Sequence, residues 1–236
     1  MCGRYATSRS SVDLAALFEA VDETGGVLAP DFNVAPTDPV PIVASGHGGR
    51  AVRVARWGLV PHWARDARVG VRMINARAET VASSNAFVPS FRARRCLVPA
   101  DGWYEWRPGG PTGKQAYFMT PADGSGLAFA GLWAVSPSGL VTCSIVTTAA
   151  IGHLAFVHDR MPLIMTPDRW AEWLCGPADP ATLLILPSVN FLDSLEVRPV
   201  GPAVGNVHHD GPHLTDPIAV PTSPAEAVQP TDLTLF

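Results

Sequence analysis

The sequence predicts an α+β fold: a single domain with a largely antiparallel, barrel-like β-sheet flanked by short helices. Three observations lead there. Candidate strands outnumber candidate helices, and the two do not alternate as a parallel βαβ sheet requires. A chain of 236 residues with 47% hydrophobic content and 16% charge can bury one substantial core, and its length does not force a second domain.

Taken in order, Ser10 or Ser11 can cap a short helix reaching about Ala20, with Leu14, Leu17 and Phe18 on its apolar face. Residues 24–41 are rich in Gly and Pro and read as a loop. The alternation from Ala51 to Trp57 reads as a strand, and 96–100, 115–119, 127–134 and 140–147 are further strands, each bounded by Gly, Pro, Asp or Ser. Thr166-Pro167-Asp168 starts a helix to about Cys175, and Asp179-Pro180 starts another near 181–186. From His208 the chain is Pro-rich and loses periodicity. The organisation expected is therefore a domain over 1–207 and a disordered tail over 208–236.

Composition narrows the function classes. The start MCGRYATSRS has no apolar signal region, and no run approaches the roughly eighteen apolar residues of a membrane span, so a soluble, cytoplasmic monomer without a membrane partner is expected. Four scattered cysteines, at 2, 96, 143 and 175, make no disulfide framework. Without Cys-x-x-Cys or His-Glu-x-x-His spacing, neither structural zinc nor another cofactor is expected. His208, His209 and His213 read as a solvated loop. The net charge of −4 argues against indiscriminate coating of nucleic acid. Residues 1–107 carry 13 Lys and Arg against 10 Asp and Glu, whereas 108–236 carry 4 against 11, so a phosphate-binding face would come from the first half. Sixteen of the seventeen basic residues are Arg, whose planar fork suits phosphates and stacking on bases, although GC-rich coding gives the same bias.

Cys2 is the most informative position. Met before a small residue is normally trimmed, which would leave a free amine beside the thiol. An α-amine with a reference pKa of about 7.7–8.0 can attack an aldehyde to give a Schiff base. A thiolate, reference pKa about 8.5, can then close a five-membered thiazolidine on the imine carbon. The ring-opened abasic site of DNA is such an aldehyde. Against this stands an incidental second-position cysteine. Glu105 lies among Trp103, Tyr104 and Trp106, where desolvation would fit it for acid/base work, unless it is a surface carboxylate above core aromatics. His158 could shuttle protons with Asp159 orienting it, and Arg160 could hold a phosphate, but a structural histidine is the commoner fate. Asn75 and Arg77, two apart, face one side of an extended segment, or make an ordinary turn contact.

In order along the chain, several segments resemble the SOS-response-associated peptidase (SRAP) family. They are Met1-Cys2-Gly3-Arg4-Tyr5, Phe32-Asn33-Val34-Ala35-Pro36-Thr37, Trp57-Gly58-Leu59-Val60-Pro61-His62-Trp63 and Ile74-Asn75-Ala76-Arg77-Ala78-Glu79-Thr80. The stretch from Cys96 to Trp106, Ala130-Gly131-Leu132-Trp133, His158-Asp159-Arg160-Met161-Pro162 and Ala203-Val204-Gly205-Asn206 complete the set, which covers 2 to about 207. The resemblance implies a mixed barrel-like fold and a free N-terminal Cys2 as covalent nucleophile. It also implies a thiazolidine link to abasic sites in single-stranded DNA, with Asn75, Glu105 and His158 around Cys2.

On that basis Arg4, Arg77 and Arg160 are expected to hold phosphates, while Asn33, Pro36, Trp63 and Thr147 line the strand's path, with Trp63 available for stacking. Self-removal of Met1 and slow strand cleavage by β-elimination are expected side activities, and the protein would sit at the nucleoid when bound to DNA. Two readings compete: a cysteine hydrolase using Cys2 with Glu105 or His158 as base, and a non-covalent single-strand binding module. The ending with Leu233, Leu235 and Phe236 looks like the peptides that dock on a replication sliding clamp, although Asp232 stands where Gln usually opens the motif. Folding of that terminus onto the protein's own core is the alternative.

Overall fold

The Ser10 side chain accepts the Asp13 N–H and starts a helix, as its position before Leu14 and Leu17 predicts. In the computed structural model, which describes residues 2–46, 48–109 and 113–219, this is α1 (Ser11–Leu17), preceded by β1 (Tyr5–Thr7). It is followed by β2 (Ala20–Asp22), β3 (Asp31–Val34), β4 (Pro39–Gly46) and β5 (Gly49–Trp57). Next come β6 (Asn75–Arg77), α2 (Ala78–Val81), α3 (Val88–Ala93), β7 (Arg95–Ala100), β8 (Gly102–Pro108), β9 (Lys114–Pro121), β10 (Leu127–Val135) and β11 (Val141–Ala149). A 3-10 turn at Gly152–Phe156 leads into β12 (Arg160–Pro162), and then follow α4 (Trp170–Cys175), α5 (Pro180–Leu183), α6 (Val189–Asp193) and β13 (Leu195–Val200).

The class is α+β, with mostly antiparallel pairing. One sheet has the order β13-β9-β8-β1-β3 and the other β12-β11-β10-β7-β4-β5-β2. In the second, β11 also pairs with β5 in parallel, Cys143 beside Trp57, so β11, β10, β7, β4 and β5 close into a ring. Both faces of β7 and β10 are covered, which is why these ring strands read as near-continuous apolar runs. Along β10, Leu127 and Phe129 face a layer holding Cys2, Tyr5, Trp57 and Trp103. Ala128, Ala130 and Leu132 face the opposite cluster, where α1 with its C-cap Phe18 contributes Leu14 and Phe18, and α4 contributes Trp170 and Trp173. Buried Arg95 donates to the carbonyls of Phe91, Trp173 and Gly176, satisfying the ends of α3 and α4 with one cation.

The loop expected over 24–41 contains β3 and the start of β4. Pro39 and Pro41 disguised β4, and they are tolerated because β7 pairs with β4 only at Val43 and Ala44, which leaves its first half without a partner on that side. The helix expected from Thr166 begins as a 3-10 turn, Pro167–Arg169, and Thr166 makes no side-chain cap bond. α5 is shorter than the expected 181–186, although Asp179 does cap it through Ala181 N–H. Residues 208–219, assigned by composition to the tail, stay against the body. Asp210 accepts the Phe32 N–H at 2.8 Å, Leu214 is buried, and Ile218 N–H donates to the Pro199 carbonyl at 2.8 Å. Leu214 is the apolar anchor that a composition argument does not weigh. The remaining tail, with Leu233, Leu235 and Phe236, lies outside the described residues. Among the described residues no helix is long and apolar enough to cross a membrane.

Candidate active site around Cys2

β1 runs antiparallel to β8 with Tyr5 opposite Trp103, and the Tyr104 N–H donates to the Arg4 carbonyl at 2.9 Å. The segment before β1 is thereby laid along β8, and Cys2 is carried into the apolar layer between the sheets, 0% exposed. Burial pushes its thiol well above the ordinary range and the nearby Glu105 charge adds to that, while a hydrogen bond from the Arg4 N–H opposes them. The sulfur is therefore a neutral thiol at pH 7.

The two-residue period of β8 decides where Glu105 points. Tyr104 packs on the outer cluster with Phe118 and Val204, whereas Trp103 faces the inner layer and Glu105 shares its phase, opposite Tyr117 of β9. Only 3% of it is exposed. Burial raises its carboxyl to about 7, with the charge of Asp159 contributing in the same direction. A carboxyl titrating there can both accept and return a proton near neutral pH.

Asn75 arrives from the other sheet. The Trp57 indole donates to the Ile74 carbonyl at 2.9 Å, and β6 then lies parallel to β11 with Asn75 beside Ile145. Its Nδ2 donates to the Cys2 carbonyl at 2.7 Å across 73 positions of sequence. Its buried Oδ1 has no partner among the described residues and can accept one more hydrogen bond.

His158 sits between the Gly152–Phe156 turn and β12, partly buried. The Arg160 N–H donates to its Nδ1 at 2.9 Å, which leaves the proton of the neutral ring on Nε2. Asp159 Oδ1, 2.8 Å from the same Nδ1, becomes its partner when the ring takes a second proton. Burial lowers the histidine's pKa, and the neutral form prevails at pH 7.

Arg77 and Thr147 lie side by side where β6 meets β11. Arg160 joins them: its guanidinium donates to the Thr147 carbonyl at 2.7 Å and forms a bidentate pair with Glu79, at 2.5 and 3.0 Å. Arg77 is exposed, whereas Thr147 is 1% exposed and lies beneath the surface. Arg4 donates to Asn33 Oδ1 at 2.7 Å and to the Val204 carbonyl at 2.9 Å. The Asn33 amide in turn donates to the carbonyls of Asn206 and His209, so Asn33, 3% exposed, braces Arg4 from inside. Pro36 is half-buried on the loop after β3.

Trp63 is 54% exposed on the loop after β5, and no hydrogen bond among the described residues ties it to the Cys2 group. The base of that loop is pinched where Gly58, at φ 125°, meets Gly70; a Cβ on Gly58 would lie 2.7 Å from the Gly70 carbonyl oxygen. The structure thus gathers Cys2, Asn75 and Glu105, with Asp159 bringing His158's segment beside Glu105. Glu79's hold on Arg160 went unremarked in the sequence; an acidic residue two after Arg77 was its only signal.

The model of the SOS response associated peptidase (SRAP) family matches residues 1–207. The chain is 33% identical over 223 residues to abasic site processing protein YoqW of Bacillus subtilis, covering 92% of this chain and 99% of that protein. It is 31% identical over 230 residues to abasic site processing protein YedK of Escherichia coli, covering 92% and 100%. Among solved structures, a Bacteroides thetaiotaomicron protein superposes with a TM-score of 0.80 at 24% identity, over 92% of this chain and 100% of that one; this likeness concerns the fold alone. A phage-related protein of Bordetella bronchiseptica superposes with a TM-score of 0.65 at 28% identity, over 84% and 94%.

Proposed function

The chain belongs to the SOS response associated peptidase (SRAP) family, and from that membership we propose that it processes abasic sites in single-stranded DNA through a covalent bond from Cys2. The observation that carries this reading is the hydrogen bond from Asn75 to the Cys2 carbonyl, beside a buried carboxyl titrating at about 7. Removal of Met1 frees the Cys2 amine. Glu105 takes a proton from that amine, which attacks the sugar aldehyde to give a carbinolamine. Return of the proton expels water and leaves the imine. The thiol then adds its sulfur to the imine carbon, its proton passes to the nitrogen, and the thiazolidine closes. Asn75 orients the amine or the developing hydroxyl through Oδ1, and His158 exchanges protons with the sugar oxygen. Arg4, Arg77 and Arg160 hold phosphates, with Pro36 and Trp63 along the strand, while Asn33 and Thr147 support them from beneath. Self-removal of Met1 and slow β-elimination from the imine are secondary activities of the same groups.

The test mixes purified protein with single-stranded oligonucleotide containing an abasic site. A denaturant-resistant adduct is expected from wild type and none from Cys2→Ala or from a form kept blocked at the Cys2 amine. Absence of an adduct from wild type ends the covalent reading; cleavage of unrelated peptides through Cys2 would put the hydrolase in its place. The tail's Leu233, Leu235 and Phe236 are proposed to dock on a sliding clamp, which raises the effective concentration at exposed template. A peptide of residues 226–236 that fails to bind a purified bacterial clamp removes that part alone.

A further inference from the structure

Next to Glu105 lies an aromatic and cationic pair that the proposed chemistry does not use. Arg107 shares the phase of Glu105 on β8, and Tyr117 stands opposite Glu105 on β9. The Phe156 ring meets Tyr117 edge-on, with centroids 6.0 Å apart and planes at 84°. The Arg107 guanidinium lies over the Phe156 ring, 3.8 Å from its centroid. Phe156 closes the Gly152–Phe156 turn, two residues before His158, yet it is 53% exposed. The ring is thus fixed in place by two neighbours while still open to solvent.

The charge beside it is also unspent. Several arginines are held by an acidic partner: Arg53 by Glu23, Arg68 by Asp66, Arg160 by Glu79, Arg198 by Glu196. Arg107 is exposed and enters no ion pair among the described residues. A flat apolar face backed by an unneutralised cation suits a nucleobase with its phosphate, and the pair adjoins the groups proposed to act on the abasic sugar.

We propose that Phe156 and Arg107 form a binding platform for the nucleotide flanking the abasic site, Phe156 stacking on the base and Arg107 meeting its phosphate. This rests on the proposed single-stranded DNA substrate and adds a subsite to it. The platform binds without covalent chemistry, so it can be measured without that chemistry.

The test follows anisotropy of an unmodified single-stranded oligonucleotide with the full-length Cys2→Ala protein. Adding Phe156→Ala should weaken binding by about 5- to 150-fold, the range for loss of base–aromatic stacking. Phe156→Tyr should bind like the parent, and Phe156→Leu, which keeps apolar contact with Tyr117 but has no π face, should not. Arg107→Ala should reduce the slope of log affinity against log salt by about 0.7, one phosphate on a single strand. With Cys2 present, Phe156→Leu should crosslink abasic oligonucleotide normally at saturation and poorly below it. Equal binding by the Leu and Tyr variants overturns the platform, as does an unchanged salt slope for Arg107→Ala, whether or not wild type forms the adduct. Failure of wild type to form any adduct instead strikes the covalent reading.

Discussion

Asn75 Nδ2 donates to the carbonyl oxygen of Cys2 at 2.7 Å, and its own Oδ1 is left buried without a partner among the described residues. One amide therefore fixes the backbone of Cys2, the proposed nucleophile, and keeps an acceptor that would serve the amine or a carbinolamine hydroxyl in the proposed reaction. Replacing Asn75 by Ala removes both functions and frees the Cys2 segment to shift. Misplacement by about 1 Å costs on the order of 10²-fold in rate, so Asn75→Ala should slow single-turnover adduct formation by about that factor, with the end point unchanged. Adduct formation at the wild-type rate would remove Asn75 from the site.

Glu105 gives a prediction in stability as well as rate. Its carboxyl is raised from 4.5 to about 7 by burial, so the folded state holds the proton more tightly than the unfolded chain. Stability from this group is full below about pH 4.5, falls as pH rises toward 7, and stays reduced above. Glu105→Gln should therefore be more stable to unfolding than wild type near pH 8, by up to roughly 3 kcal/mol, and the difference should vanish near pH 4. The same variant should crosslink about 10²- to 10⁴-fold more slowly. A variant less stable than wild type at pH 8 would mean that the ionised carboxylate contributes net stability.

Glu105 also marks how far sequence alone reaches. Its three aromatic neighbours signalled desolvation, but whether it pointed in or out depended on the phase of β8, a strand that no polar alternation revealed because both of its faces are buried. The ring strands β7, β10 and β11 were legible as apolar runs between turn residues. β4 was hidden by Pro39 and Pro41, whose tolerance depends on a missing neighbour rather than on local sequence. The bond between Asn75 and Cys2, and the cation of Arg107 over Phe156, join segments with no local relation, and only the closure of the two sheets brings them together.

Arg160 was expected to hold a phosphate, yet Glu79 now occupies its fork with bidentate geometry, at 2.5 and 3.0 Å. A phosphate must displace that carboxylate to reach the guanidinium. Glu79 is half exposed, so the pair contributes little to stability, about 1 kcal/mol or less. Glu79→Gln should leave the melting temperature nearly unchanged while tightening binding of single-stranded oligonucleotide, and Arg160→Ala should cancel the gain. If Glu79→Gln weakens binding, Arg160 is a structural tie between α2 and β12 and the phosphate lies elsewhere.

The last prediction concerns the partner exchange at His158 Nδ1. In the neutral ring this atom accepts the Arg160 N–H at 2.9 Å; after protonation it can only donate, and Asp159 Oδ1 at 2.8 Å is placed to receive it. Burial lowers the pKa of His158 and the Asp159 carboxylate partly restores it. Asp159→Asn removes the restoring charge but keeps the shape, so His158 should titrate at still lower pH, as read from its ring protons by NMR. If His158 protonates the sugar oxygen during adduct reversal, the pH profile of reversal should move down by the same interval as the NMR titration, because both follow one protonated fraction. A titration that moves while the profile stays fixed would assign that proton to another group. The exchange at Nδ1 would then be structural, a means of holding Arg160 and β12 in place.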